Sequence, residues 1–284
     1  MSAPPFVTRF APSPTGWLHR GHAFSALTAY EAARRAGGCF LLRFEDIDTA
    51  RCRPAFETAI LEDLAWLGLA WESPVPRQSE RTPAYQRALD ALRARGLLYR
   101  CFRTRRETSS DIASAPHGPR TAGRPGPHPA RDEARWLAEG RPFAWRLSLA
   151  AAEAALGGFG GLSFIEEGAG PGGETGVIGA RPELAGDVVL ARKDVGVSYH
   201  LAVVADDAHQ RVTHVIRGED LFAATRIQRL LQALLGLPAP VYRHHRLLLR
   251  PDGKRFAKRD TAETLADLRA RGVTPQSLRA QLGF

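Results

Sequence analysis

Two stretches of this 284-residue sequence carry residue types and spacings suited to nucleotide chemistry. The first reads Arg9-Phe10-Ala11-Pro12-Ser13-Pro14-Thr15-Gly16-Trp17-Leu18-His19-Arg20-Gly21-His22. Imidazoles at positions i and i+3 can donate hydrogen bonds to phosphate oxygens, and Gly21 lets a flat base or ribose come close to the backbone. A bare His-x-Gly-His is a weak signal, because a pair of helix-start histidines with no ligand looks the same. The second stretch is Gly253-Lys254-Arg255-Phe256-Ala257-Lys258-Arg259. The chain has only three lysines, Lys193, Lys254 and Lys258, and two of them fall here. A compact ammonium on a flexible stem can follow a migrating phosphoryl charge better than a planar guanidinium. For an arbitrary basic run a solvated loop is the usual explanation; the scarcity of lysine and the presence of the first motif reverse it.

These residues need elements to hold them. Phe6 to Phe10 is short, apolar and β-prone, and Pro12, Pro14 and Gly16 punctuate the loop after it. Gly21 to Ala36 has a helical pattern that Gly37–Gly38 ends, so the histidines sit where a strand hands over to a helix. Helix N-termini offer free N–H groups and a positive dipole end, which suit phosphate. Cys39 to Phe44 reads as a buried strand, followed by the acidic cluster Glu45, Asp46, Asp48. Pro54 to Leu67 is amphipathic, with Phe56, Ile60, Leu64 and Leu67 on one face. This alternation predicts a Rossmann-type, doubly wound parallel sheet of the α/β class, with its ligand beyond the carboxyl ends of the strands.

Farther along, Ala113 to Arg131 reads as a loop, and Gly157 to Gly161 and Gly168 to Gly179 as irregular. Phe143 to Leu149 and Leu162 to Ile165 read as strands. The regular pattern resumes at Asp187–Arg192 and Tyr199–Ala205, then strand Thr213–Arg217 and helix Leu221–Leu235. The expected organisation is a first half-sheet in 1–100, an inserted α+β subdomain in 101–185, and a second half-sheet in 186–240. A lysine loop and a short helical segment fill 241–284.

An apolar share of 44% and a charged share of 24% are ordinary for a soluble globular chain. No apolar run of transmembrane length occurs, and the first residues lack the pattern of a secretory signal. Three separated cysteines, Cys39, Cys52 and Cys101, argue for reduced thiols and a cytoplasmic address with no membrane association. A net charge of +9 suits a polyanionic partner, although a basic surplus made almost wholly of arginine is also what a GC-rich genome produces.

Together the two stretches resemble the signatures of class I aminoacyl-tRNA synthetases, written HIGH and KMSKS. The resemblance narrows to the glutamyl branch through Arg9 to His22, Leu42-Arg43-Phe44-Glu45-Asp46-Ile47-Asp48 and Arg77-Gln78-Ser79-Glu80-Arg81. It continues through Tyr199 to Asp207 and Thr213 to Leu221. Full glutamyl-tRNA synthetases continue into an anticodon-binding domain, whereas this sequence stops at Phe284, soon after its lysine loop. It is therefore most similar to the truncated paralogues, the glutamyl-queuosine tRNA(Asp) synthetases. That resemblance implies activation of L-glutamate with ATP and Mg2+ without tRNA, and transfer to the queuosine base of tRNA(Asp) by a monomer.

By the same resemblance Arg9, Ala11, Ser13, Glu45, Tyr199 and Arg217 contact glutamate. His19, Gly21, His22 and Lys258 contact ATP, with His19, His22 and Lys258 catalytic. Chemistry agrees: two carboxylates call for cations such as Arg9 and Arg217, which can pair with them bidentately, and an ammonium calls for an acid such as Glu45. Two departures from the family pattern stand out. A small hydroxyl residue usually precedes the second lysine, where this chain has Ala257. Many members also bind zinc through a Cys-x-Cys pair after the tyrosine that is here Tyr99, plus a later Tyr and Cys. Here only Cys101 remains, with His117 and His128 nearby, so zinc is expected to be absent. Alternatives are a truncated enzyme charging tRNA(Glu), a non-catalytic RNA-binding paralogue, and another nucleotidyltransferase with a His-x-Gly-His loop.

Overall fold

A computed structural model describes residues 5–103, 126–192, 196–248 and 263–284. The chain begins with β1 (Val7–Phe10), buried along its whole length, followed by α1 (Arg20–Arg35) and β2 (Cys39–Leu42). β2 lies parallel to β1, with Val7 opposite Cys39 and Phe10 opposite Leu42. Then come α2 (Pro54–Trp66), α3 (Thr82–Ala94) and β3 (Leu98–Cys101). Proline in the first turn starts both helices, where its missing N–H costs no hydrogen bond. β1, α1, β2 and α2 match the sequence expectation to within a few residues, whereas α3 and β3 were not expected.

The middle of the chain divides between two sheets. It contains α4 (Ala130–Ala138), β4 (Ala144–Leu147), α5 (Leu149–Leu156), β5 (Ser163–Glu166) and β6 (Gly176–Gly179). After it come β7 (Val189–Arg192) and β8 (Gly196–Val197). β3, β4, β7 and β8 form an antiparallel sheet in that order. β5 and β6 instead pair with each other and reach the edge of the main sheet, so 101–185 contributes to both layers. The Gly168 to Gly179 stretch is not irregular throughout, because its end is β6. Backbone pairing with β5 makes that strand despite its glycines.

α6 (Tyr199–His209), β9 (His214–Gly218), α7 (Phe222–Leu235) and β10 (Val241–His245) complete the sheet. β10 lies between β9 and β5, parallel to both, so the segment 241–284 opens with a strand of the main sheet. β1 lies alongside β9, where the Thr213 N–H donates to the Val7 carbonyl at 2.9 Å. Successive residues of β9 enter opposite cores. Val215 joins the side chains of α3, α6 and α7, and Ile216 joins those of α1 and α2. A sheet covered on both faces is the doubly wound arrangement expected from the sequence.

The last helices, α8 (Leu265–Ala270) and α9 (Pro275–Leu282), close the second core. Leu265, Leu268 and Leu278, all fully buried, pack with Leu27 of α1 and Ile60 of α2. Arg269 pairs with the buried Asp63 of α2 at 3.1 Å, and Arg279 with Glu31 of α1. Among the described residues no helix is long and apolar enough to cross a membrane.

Candidate active site

Those sequence-predicted residues that the structure describes gather where β1, β2 and β9 end. The loop after β1 is tied to the chain following β2: the Glu45 N–H donates to Pro12 O at 3.1 Å and the Arg53 N–H to Pro14 O at 3.1 Å. This anchoring holds half-buried Ala11 and Ser13 over the end of the sheet. His19 caps α1, its Nδ1 accepting the Gly21 N–H at 3.1 Å, and His22 Nδ1 accepts the His19 N–H at 3.2 Å. An imidazole that accepts at Nδ1 carries its hydrogen on Nε2, so in both neutral rings the donor is Nε2–H. The rings lie 3.8 Å apart between centroids. A Cβ on Gly21 would stand 3.0 Å from the His19 ring, so this glycine makes room for the folded-back cap. Lys254 and Lys258 lie outside the described residues. Thr264, just after them, forms a bridge with His19, and the Leu265 N–H donates to Leu18 O at 2.9 Å.

Arg9, Glu45, Tyr199 and Arg217 line one interior. Arg9, Glu45 and Arg217 are buried, and Tyr199 feels the charges of Arg217, Glu45, Arg9 and Asp207 together. The Arg217 Nη1 lies 3.4 Å from the Tyr199 hydroxyl. In each arginine the Nε edge is already engaged: Arg9 Nε donates to Asp207 at 3.0 Å, and Arg217 Nε to His244 Nε2 at 3.1 Å. Arg217 Nη2 also donates to Thr225 Oγ1 at 2.7 Å. A carboxylate entering here meets guanidinium ends, not the Nε side of the fork.

The charges holding this interior include residues to which sequence reasoning assigned no role. Arg43 is completely buried, donating to Asp207 at 2.9 Å, Gln210 at 2.6 Å and Glu45 at 3.1 Å. Alternation along an extended strand was the available signal, since it puts Arg43 on the same side as Glu45 two residues later. The neighbouring Asp206 accepts from Gln78 at 2.9 Å, Arg81 at 2.6 Å and Tyr85 at 2.7 Å. Asp46 accepts from the Ser79 N–H at 2.8 Å and its hydroxyl at 2.6 Å, so the Arg77–Arg81 segment is pinned from two sides. His244 and Glu166 stand in no recognised motif.

Protonation follows these contacts. Burial raises the Glu45 carboxyl, with Arg43 and Arg9 pulling the other way. Burial also opposes ionisation of Asp207, but Arg9 and Arg43 outweigh it and hold that carboxyl below the usual range. Burial raises the Tyr199 phenol, so it stays protonated and can donate.

Of the residues near the expected zinc position, Cys101 is buried in β3 and His117 lies outside the described residues. His128 takes the Phe102 N–H at 3.4 Å and packs edge-on to Trp136 at 4.8 Å between centroids. Cys101 and His128 are two residues where structural zinc calls for four ligands, and among the described residues no group of three or more His, Cys, Asp or Glu could hold a metal.

Residues 5–126 and 175–283 match the family model described as tRNA synthetases class I (E and Q), catalytic domain. A glutamyl-Q tRNA(Asp) synthetase of Rhodobacter capsulatus is 49% identical over 98% of this chain and 100% of its own length. Another from Symbiobacterium thermophilum is 44% identical, over 97% of this chain and 85% of its own. A glutamate–tRNA ligase of Synechococcus is 37% identical, but this chain covers only 56% of it. Among solved structures, the glutamate-tRNA synthetase of Elizabethkingia anophelis superposes with a TM-score of 0.78 at 27% identity. It covers 99% of this chain, which spans 61% of that protein.

Proposed function

The chain belongs to the class I tRNA synthetases of the E and Q type, and within them to the glutamyl-Q tRNA(Asp) synthetases, and from that premise we propose how its own residues perform the reaction. It is a ligase that activates glutamate with ATP and transfers it to tRNA; its acceptor is queuosine in tRNA(Asp). The observation that carries this is one buried interior in which Arg9 and Arg217 offer guanidinium ends and Glu45 a carboxylate, with Arg43 and Asp207 paired behind them. That is the complement of an amino acid with two carboxylates and one ammonium. Arg9 and Arg217 take the carboxylates, Glu45 takes the ammonium, and Tyr199 donates at the wall. Ala11 and Ser13 shape the floor.

His19, Gly21 and His22 would hold ATP, and Mg2+ would supply charge neutralisation on its phosphates. The glutamate α-carboxylate attacks the α-phosphorus, and pyrophosphate leaves. A queuosine hydroxyl then attacks the mixed anhydride, forming an ester and releasing AMP. Catalysis here is positioning plus charge stabilisation, with the imidazole Nε2–H groups aimed at phosphate oxygens. Lys258 stabilises the departing pyrophosphate; the bridge between Thr264 and His19 supports its assignment by keeping that end of the chain at the histidine loop. No step uses zinc.

Glutamate-dependent ATP–pyrophosphate exchange without RNA should be robust in the wild type and fall at least about a hundredfold in Lys258→Ala. Undiminished exchange in that variant overturns the lysine's role. Labelled glutamate should reach tRNA(Asp) carrying queuosine and not tRNA(Asp) lacking it. Labelling of tRNA(Glu) instead would make the chain a truncated charging enzyme.

A further inference from the structure

Behind Arg217 lies a second pair of side chains that the reaction above leaves unused. Glu166, at the end of β5, and His244, in β10, both have completely buried side chains, and Glu166 Oε2 meets His244 Nδ1 at 2.5 Å. The other imidazole nitrogen, Nε2, accepts from Arg217 Nε at 3.1 Å. We propose that Glu166 and His244 are a positioning pair for Arg217. The carboxylate selects the imidazole tautomer, and the imidazole grips the guanidinium by its Nε edge so that Nη1 faces the pocket beside Tyr199. This deepens the function proposed above and rests on Arg217 being a glutamate contact.

Donor and acceptor chemistry dictates the direction. A guanidinium cannot accept a hydrogen bond, so His244 Nε2 must be bare and Nδ1 must carry the hydrogen that it donates to Glu166. An imidazolium would set Nε2–H against Arg217 Nε–H. Burial and the nearby Arg217 lower the affinity of His244 for a second proton, in keeping with a neutral ring. Glu166 is itself tightly held: Oε1 accepts the backbone N–H of His244 at 2.8 Å and of Gly168 at 2.8 Å. A Cβ on Gly168 would stand 2.1 Å from the His244 carbonyl, so the glycine is what allows the chain after β5 to close over this carboxylate. Thr225 completes the clamp on Nη2. With Nε and Nη2 occupied by protein, the guanidinium can turn in only one way, and Tyr199 marks where its remaining end points.

Glu166→Gln is the sharpest probe because it keeps the shape. The amide oxygen stays on the two backbone N–H groups, which turns the amide N–H toward Nδ1. The ring must then move its hydrogen to Nε2, facing Arg217. Binding of glutamate and of ATP is measured separately by calorimetry on folded Arg217→Ala, Glu166→Gln, His244→Leu and His244→Gln. The last retains an acceptor near the Nε2 position. Glutamate binding should weaken about tenfold or more in the first three, with ATP binding unchanged, and recover in His244→Gln.

If Arg217→Ala weakens glutamate binding while Glu166→Gln and His244→Leu do not, the positioning pair fails and the glutamate pocket stands. If Arg217→Ala has no effect, the pocket itself fails. Equal loss of glutamate and ATP binding in the pair's variants means a scaffold role only and overturns the proposal. Should His244→Leu not fold, nitrogen-15 NMR of the unaltered protein decides: His244 must show a protonated Nδ1 and a bare Nε2 at neutral pH, and the opposite tautomer sinks the idea.

Discussion

Asp207 shows how much rests on a single side chain at this site. It stands between the guanidinium groups of Arg9 and Arg43, and all three are buried. Losing it would leave Arg9 buried without its ion-pair partner and would take from Arg43 one of three carboxylates, with Glu45 and Asp206 remaining. Asp207→Ala should therefore destabilise the chain by about 3–5 kcal/mol, read from denaturant unfolding. Loss of less than about 1 kcal/mol would mean that water replaces the carboxylate readily. Arg9, Glu45, Tyr199 and Arg217 were legible in the sequence because they fall within motifs of fixed order. Asp207 was legible as a letter of a motif but not as a keystone. Nothing local distinguishes an acid on a buried helix from one on a solvated helix, and its partners lie 164 and 198 residues away. His244 and Glu166 were invisible for the same reason. Their meaning comes from pairing between strands far apart in the chain.

Elements carry the next level. α1, α2 and the strands beside them were readable from hydrophobic period and Gly or Pro punctuation, since those signals are local. β6 was not, because glycine-rich sequence has no pattern of its own and the strand exists through β5. The docking of α8 and α9 was likewise unreadable beyond their being helical. Leu278→Ala, emptying a fully buried position between α9 and the first helices, should cost about 2–5 kcal/mol of stability.

The α8 contact also predicts a pH effect. Burial raises the Asp63 carboxyl to about 6, against the pull of Arg269. Above that pH the group is ionised whether folded or unfolded, and well below about 4 it is protonated in both. In between, the folded chain holds the extra proton, so acidification through this window favours folding. Asp63→Asn should therefore be more stable than the wild type above pH 6, by a margin that shrinks toward pH 4. A margin that widened on acidification would reverse the assignment.

At the scale of the whole molecule, a net charge of +9 meets a polyanionic RNA. Each phosphate neutralised contributes about 0.7 to 0.9 to the slope of log affinity against log salt. The KM for tRNA should rise steeply between about 50 and 200 mM salt, whereas glutamate affinity, which we propose is set in the buried pocket, should hardly move. Parallel loss of both would place the salt effect on folding. The bridge between Thr264 and His19 has a different consequence, one of timing. Leu265, Leu268 and Leu278 cover the apolar side of helices that are translated far earlier. While the chain is still being made, that side has nothing to cover it, and the histidine loop lacks its neighbour. Closure around the histidine loop must then wait until α8 and α9 have been made, a contact of long sequence separation.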